Sequence, residues 1–288
     1  MTEHAPPYPL VSYHGGHAFF DGRGEPEAFV EAAIRQGFAA FGFSEHMPPP
    51  EPYAYVDFPP HADAMRVFDH YVERVTRLQT AYRDDLPILV GVETEYLPDQ
   101  ETYVADFIES YPFDYVVGSV HYVRGMIIDC SAEGHRQVVD ACGGMEEMVE
   151  EYYRVVRGML AMGVADVLGH LDLVKIFAGG LPKTPRIRDA ERETLDAAMR
   201  AGVILDVNAR GLRKPCREVY PGPELLAAAR AMGLPATLGD DSHAPDQVGL
   251  GLDQAAAAMR AAGYEAITAL LLDGNLVVRR ELSMSIAS

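Results

Sequence analysis

The sequence predicts an α/β fold, a closed or nearly closed (β/α) barrel. Amphipathic helical stretches alternate with short apolar runs, in roughly seven strand–helix units. Several of the apolar runs are continuous rather than alternating, as parallel strands buried on both faces require. The 288 residues fit one such barrel. In chain order the strand-length runs are LVSY (10–13), AAFGFS (39–44), PILVGVE (87–93), DYVVGSV (114–120), ADVLG (165–169), VILDVN (203–208) and PATLGD (235–240). Helical spacing falls between them. Residues 62–83 place Met65, Phe68, Val72, Val75, Leu78 and Tyr82 three or four apart, on one helix face. Residues 26–37, 98–110, 145–163, 188–201, 222–232 and 251–262 read the same way. The segments 47–60 and 122–144 read as long loops on one rim. No linker or repeat divides the chain, so one domain is expected over 1–288. An open doubly wound sheet is the alternative topology. No G-x-G-x-x-G follows the first strand, which removes its dinucleotide-binding version.

Charge narrows the partners. The 24 Lys and Arg face 43 Asp and Glu, a net charge of −19. Such a surface repels a phosphate backbone, so neither a nucleic acid nor an anionic membrane surface is an expected partner. No apolar run approaches the roughly 20 residues that cross a bilayer. The opening MTEHAPPYPL lacks the basic and apolar regions of a secretory leader. Cys130, Cys142 and Cys216 are odd in number and far apart, which argues against a disulfide framework. A cytoplasmic protein is the expectation.

The strand ends carry the chemistry. The first run is followed by His14 and His17, the second by Glu45 and His46. The third ends at Glu93, the fourth at His121, the fifth at His170 and the sixth at Asn208. The seventh ends at Asp241, with His243 two residues on. Six of the ten histidines therefore stand directly after strands. In a barrel these ends converge on one mouth. A single histidine there is more often structural, but six together repel when protonated and desolvate poorly when neutral. Divalent Zn, Mn or Fe ions resolve this, because they bind neutral imidazole and carboxylate. The ligands exceed the need of one tetrahedral ion, so two or three ions sharing a carboxylate fit better. His4, His61, His70 and His135 lie in the tail, helices or a loop and read as surface residues. The sequence lacks a C-x-x-C pair, a G-x-S-x-G elbow and a P-loop.

Four cations, Arg210, Arg213, Lys214 and Arg217, follow the sixth strand within ten residues. Arg217 reads as solvated. Arg210 and Arg213 lie near the expected mouth, and a guanidinium matches phosphate oxygens in a bidentate fork. Metal ions together with arginines point to a phosphate ester substrate.

The motifs HGGH (14–17), SEH (44–46), GVETE (91–95), GSVH (118–121), GHLDL (169–173), LDVN (205–208) and GDDSH (239–243) together resemble the PHP (polymerase and histidinol phosphatase) family. PFDYVVGSVHYV (112–123), GHLDLVKIF (169–177) and LRKPCREVYP (212–221) resemble its stand-alone histidinol-phosphate phosphatase branch. The likeness runs from about residue 10 to 275. It implies a distorted, TIM-like (β/α)7 barrel with three metal ions. It assigns His14, His17, Glu93 and Asp241 to one ion. His46 and His243 would hold a second with a residue of the loop after the first strand, and Glu93, His121 and His170 a third. Two departures stand out. The family opens with H-x-H, whereas this chain has H-x-x-H; residues three apart on a strand point to opposite faces. Gly15 and Gly16 offer a bulge that restores the alignment. Asp21 stands where the family commonly has a further histidine. It can ligate a hard or borderline ion, or serve as a turn residue in Phe-Asp-Gly-Arg.

The resemblance implies hydrolysis of L-histidinol phosphate to L-histidinol and phosphate. Metal binding lowers the pKa of water towards roughly 7. Arg210 or Arg213 would neutralise phosphate charge. Asp172 or His243 would protonate the leaving alkoxide, and Tyr53 or Tyr55 would stack on the imidazole. The alternatives are a PHP phosphoesterase acting on another small phosphate and a metal-binding barrel without turnover.

Overall fold

The computed structural model describes residues 8–51, 53, 58–274 and 276–284. In chain order the elements are β1 (Leu10–Ser12), α1 (Pro26–Arg35), β2 (Phe38–Phe43), α2 (His61–Ala81), β3 (Ile88–Glu95), α3 (Glu101–Glu109) and β4 (Tyr115–Ser119). A two-residue hairpin follows, β5 (Tyr122–Val123) and β6 (Met126–Ile127), then α4 (Ala132–Cys142) and α5 (Met145–Ala161). The chain continues through β7 (Val167–Leu168), α6 (Pro185–Ala201), β8 (Ile204–Asn208), α7 (Pro223–Met232), β9 (Ala236–Gly239) and α8 (Leu252–Ala261). It ends in β10 (Ala266–Asp273) and β11 (Leu276–Ser283).

Seven strands form one sheet in the order β1-β2-β3-β4-β7-β8-β9. Every neighbouring pair in it is parallel. The sheet curls into a nearly closed, distorted barrel. Across the remaining seam Tyr13 N–H donates to the Leu238 carbonyl at 3.4 Å, and Asp240 N–H to Ser12 Oγ at 3.1 Å. All seven strand-length runs of the sequence became strands of this sheet. Their continuous apolar character has the expected cause: β3, β4 and β8 are buried along their whole length.

Inside the barrel Tyr115 fills the space over two strand glycines. A Cβ added at Gly91 would stand 2.4 Å from its ring, and one at Gly42 2.3 Å from its hydroxyl. The Tyr115 hydroxyl donates to the Phe43 carbonyl at 3.0 Å, so the buried phenol is satisfied. Tyr13 meets the same ring edge-on at 5.8 Å.

The helices sit where 3.6-residue periodicity put them, with shifted ends. α6 begins three residues before the expected 188, because Thr184 Oγ1 accepts from Ile187 N–H and Pro185 occupies the first turn. The segment 122–144 is not the open loop expected. It folds into the β5–β6 hairpin and α4, whose N-cap Ser131 accepts from Gly134 N–H. His135, read as a surface residue, is buried on α4, where its Nδ1 pairs with the Ile128 carbonyl at 2.9 Å. The antiparallel β10–β11 hairpin lies outside the barrel sheet. It is tied to the barrel by Tyr13, whose hydroxyl donates to the Leu270 carbonyl at 2.7 Å. No described helix is long and apolar enough to cross a membrane.

Candidate metal centre

Glu93, at the mouth end of β3, is the hub. Its Oε1 lies 3.1 Å from His14 Nε2, 3.1 Å from His170 Nε2 and 3.5 Å from His121 Nε2. Its Oε2 lies 2.9 Å from His46 Nδ1 and 3.9 Å from His17 Nε2. Five imidazoles from four strand ends thus surround one buried carboxylate. Asp241 extends the cluster, with carboxylate oxygens 3.9 Å from both His14 Nε2 and His17 Nε2. His243 Nδ1 stands 3.5 Å from Asp241. Asp21 closes the outer edge, 3.6 Å from His46 Nε2 and 3.1 Å from His243 Nε2. Every residue expected to ligate a metal is therefore in one place.

The H-x-x-H spacing is accommodated as the two glycines suggested. β1 stops at Ser12, so the alternation of a strand no longer governs His14 and His17. Gly16 takes φ +73, a left-handed conformation that costs other residues of the order of 1–2 kcal/mol. A Cβ there would also stand 2.5 Å from Phe43. His17 N–H then donates to the Ser242 carbonyl at 3.0 Å, and the His14 and His17 rings come within 5.9 Å.

Carboxylates behind the cluster orient it. His14 Nδ1 donates to Asp206 Oδ2 at 2.8 Å, and His121 Nδ1 to Glu95 Oε2 at 2.8 Å. Each bond fixes Nδ1 as a donor and turns Nε2 towards Glu93. Asn208 Nδ2 donates to Asp206 and to Asp241, at 3.0 and 3.3 Å. Glu45 lies 3.7 Å from His17 Nδ1 and accepts from Ala18 and Phe19 N–H. Glu95 and Asp206 lay inside quoted motifs, yet the sequence reading gave them no role. A signal existed: each is two residues from a site residue on the same strand, and so shares its face.

These residues fit divalent cations. His14 Nε2, both ring nitrogens of His17 and His170 Nδ1 are buried without a hydrogen-bond partner among the described residues. Native proteins leave few such atoms unexplained. Three sets of donor atoms lie within 4.8 Å of one another: His14, His17 and Asp241; His14, Glu93 and His170; His17, His46 and His243. The protonation pattern agrees. Burial opposes charge on His14, but Glu93, Asp241 and Asp206 together push its imidazole well above the ordinary range. Burial likewise opposes ionisation of Glu93, but His14, His46 and His121 hold its carboxyl well below the usual value. The cluster demands positive charge, which a metal ion supplies by displacing protons.

The cluster forms the floor of a cavity of about 290 Å³, lined also by Phe58, Asp129, Cys130, Leu173, Ile176 and Tyr220. Arg210 and Lys214 supply its cations. Arg210 Nη1 donates to the Asp241 carbonyl at 2.8 Å and stands 3.3 Å from its carboxylate. Arg213 is a correction. It does not line the cavity; its guanidinium donates to the carbonyls of Leu250, at 2.9 Å, and Asp240, at 2.6 Å. Lys214, one residue on, takes its expected place.

Asp172 is a second correction. It is buried outside the cavity lining, and its Oδ2 is held by Lys175 Nζ at 2.9 Å and Gly222 N–H at 2.8 Å. That arrangement ties Asp172 to the chain after β8. His243 does line it, but burial, His17 and Arg210 lower its pKa to about 4. At neutral pH it offers a lone pair, as a ligand does. Tyr53 packs against Tyr122 at 5.9 Å and does not line the cavity, whereas Phe58 and Tyr220 do. Tyr55 and His4 lie outside the described residues.

Comparison with known proteins agrees with this geometry. Residues 12–210 match the PHP domain family. A relative from Deinococcus radiodurans, named "Probable histidinol-phosphatase", is 32% identical over 253 residues, covering 88% of this chain and 92% of its own. The solved structure of hisK from Listeria monocytogenes superposes with a TM-score of 0.79 at 26% identity, covering 85% of this chain and 99% of that one. The histidinol phosphate phosphatase of Lactococcus lactis, solved with zinc, L-histidinol and phosphate, gives a TM-score of 0.75 at 24% identity. It covers 93% of this chain and 98% of that one. With the motifs, the barrel and the match all in the same register, the chain belongs to the PHP domain family.

Proposed function

We propose that the protein is a phosphoric monoester hydrolase that converts L-histidinol phosphate to L-histidinol and phosphate. One observation carries the reading: a buried carboxylate ringed by imidazoles forms the floor of a cavity that also holds two cations. Family membership and the name of the Deinococcus radiodurans relative support the same substrate. The cavity suits one small molecule rather than a strand or a chain.

In this reading three divalent ions, of Zn, Mn or Fe, occupy the cluster. His14, His17, Glu93 and Asp241 hold one, and His46, His243 and Asp21 a second. Glu93, His121 and His170 hold the third. When bound, the ions neutralise phosphate charge and make water acidic enough to act as a nucleophile near neutral pH. The chain's own residues do the rest. Arg210 and Lys214 face the equatorial phosphate oxygens and hold the ester against the cluster. Asp206 and Glu95 keep His14 and His121 in the tautomer that presents Nε2. Phe58, Leu173, Ile176 and Tyr220 wall off water and give the imidazole an apolar seat. Cys130, Cys142 and Cys216 form no disulfide, which suits the cytoplasm, a reducing compartment.

The test is phosphate release from L-histidinol phosphate by the metal-loaded protein, beside a chelator-treated control and the Glu93→Gln variant. Chelation is expected to abolish turnover. Glu93→Gln is expected to lose bound metal and activity together, by roughly 10²- to 10³-fold in kcat, on the order of the effect of removing one preorganised electrostatic group. A fully active Glu93→Gln protein would sink the cluster. Turnover of other phosphomonoesters but not this one would move the substrate assignment within the same reaction class.

A further inference from the structure

We propose that Asp129 is the residue that reads the substrate's ammonium group, and so sets the enzyme's preference for an amino-alcohol phosphate. This assignment rests on the phosphatase reading above. Asp129 lines the cavity, and its Oδ1 is buried with no hydrogen-bond partner among the described residues. A buried carboxylate oxygen left unpaired is costly unless a ligand completes it.

Its position is fixed from both sides. Asp129 follows Ile128 at the end of the β5–β6 hairpin. Ile128 N–H donates to the carbonyl of His121, at 2.9 Å, and the Ile128 carbonyl pairs with His135 Nδ1, at 2.9 Å. The hairpin therefore begins at a residue of the metal cluster and returns to it, which holds Asp129 in register with the floor. Buried His135 serves the same anchor.

The charge pattern matches the substrate. Arg210 and Lys214 mark the phosphate end of the cavity. Asp129 is near enough to Lys214 for its charge to act on that ammonium. An anion and a cation set close together in one cavity suit a ligand of the opposite pattern. In L-histidinol phosphate the ammonium stands on the carbon next to the one bearing the phosphate ester.

The experiment uses the metal-loaded protein and its Asp129→Asn variant, each with two substrates. One is L-histidinol phosphate. The other is 3-(imidazol-4-yl)propyl phosphate, which keeps the ring and the ester but lacks the ammonium. For L-histidinol phosphate, Asp129→Asn is expected to lower kcat/KM by about 10- to 100-fold, with most of the loss in KM. For the deamino ester the variant is expected to match wild type, which also shows that it is folded and metal-loaded. Equal losses on both substrates, or no loss on either, would overturn the assignment. So would wild type turning over the deamino ester as well as L-histidinol phosphate, and that result would leave the phosphatase reading intact. Turnover of neither ester by folded, metal-loaded wild type would overturn the reading beneath it and the assignment with it.

Discussion

Asp206 orients the cluster from behind. Its buried Oδ2 accepts from His14 Nδ1 at 2.8 Å and Asn208 Nδ2 at 3.0 Å. Removing the carboxylate frees His14 to rotate or to change tautomer. Such outer partners typically cost 10- to 100-fold in metal affinity when changed. Asp206→Asn keeps the volume and exchanges a charged acceptor for an amide. It is expected to weaken zinc binding by that factor, read by competition with a chelating dye, while the far-ultraviolet dichroism stays unchanged. Affinity equal to wild type would show that His14 is oriented by packing alone. The contrast with Arg213 explains what was legible at this scale. The strand-end histidines stood out because an apolar run stopping at an imidazole is visible in the sequence. The partner of a guanidinium is not visible: Arg213 is taken up by the carbonyls of Leu250 and Asp240, and backbone acceptors leave no mark in the residue pattern. Asp172 is similar in part: Lys175 lies three residues on, but its other partner, Gly222 N–H, is set by how the chain returns after β8.

At the scale of elements, legibility followed length and contrast. The strands of the barrel sheet were readable because burial on both faces makes them continuously apolar. The β5–β6 hairpin was not, because two-residue strands carry no periodicity. α4 was hidden by its own buried face, where His135 stands in the series His135, Val138 and Cys142 and breaks the apolar pattern. Strand glycines carried information that went unread. Gly42 and Gly91 mark where Tyr115 crosses the barrel interior, and a methyl group at Gly91 would meet the ring at 2.4 Å. The ring is buried and its hydroxyl is bonded to the Phe43 carbonyl, so it has little room to retreat. Gly91→Ala is expected to destabilise the fold by about 1–3 kcal/mol, the usual cost of overpacking a core. Urea unfolding followed by dichroism reads this as a lower midpoint with an unchanged slope. A midpoint equal to wild type would mean that the interior yields there.

For the whole molecule, the site and the closure of the barrel are one structure. His14 follows β1 and Asp241 follows β9, the first and last strands of the sheet. Asp241 N–H donates to the His14 carbonyl at 2.7 Å, and Arg23 N–H to the His243 carbonyl at 2.8 Å. Residues of the cluster from the two ends of the sheet therefore meet across the side where, among the described residues, its strands do not form a ladder. Without cations the seam also gathers buried carboxylates and imidazoles whose charges depend on one another. An ion that binds this arrangement and not the unfolded chain stabilises folding by mass action, about 2.7 kcal/mol at a hundred times its dissociation constant. For a chain of this length that corresponds to roughly 2–4 °C per kcal/mol in the thermal midpoint. Chelator-treated protein is thus expected to melt several degrees below the metal-loaded form, with the difference restored by Zn²⁺ or Mn²⁺. Glu93→Gln, which removes the hub carboxylate, is expected to melt at nearly the same temperature with and without metal. The decisive comparison is the metal-dependent shift rather than either midpoint alone. If wild type shows no shift while metal is demonstrably bound, the seam is held by its backbone bonds and packing, and the ions serve chemistry only. If Glu93→Gln keeps the full shift, the ions that bridge the seam do not depend on the β3 carboxylate, and His14, His17 and Asp241 suffice to hold the first and last strands together.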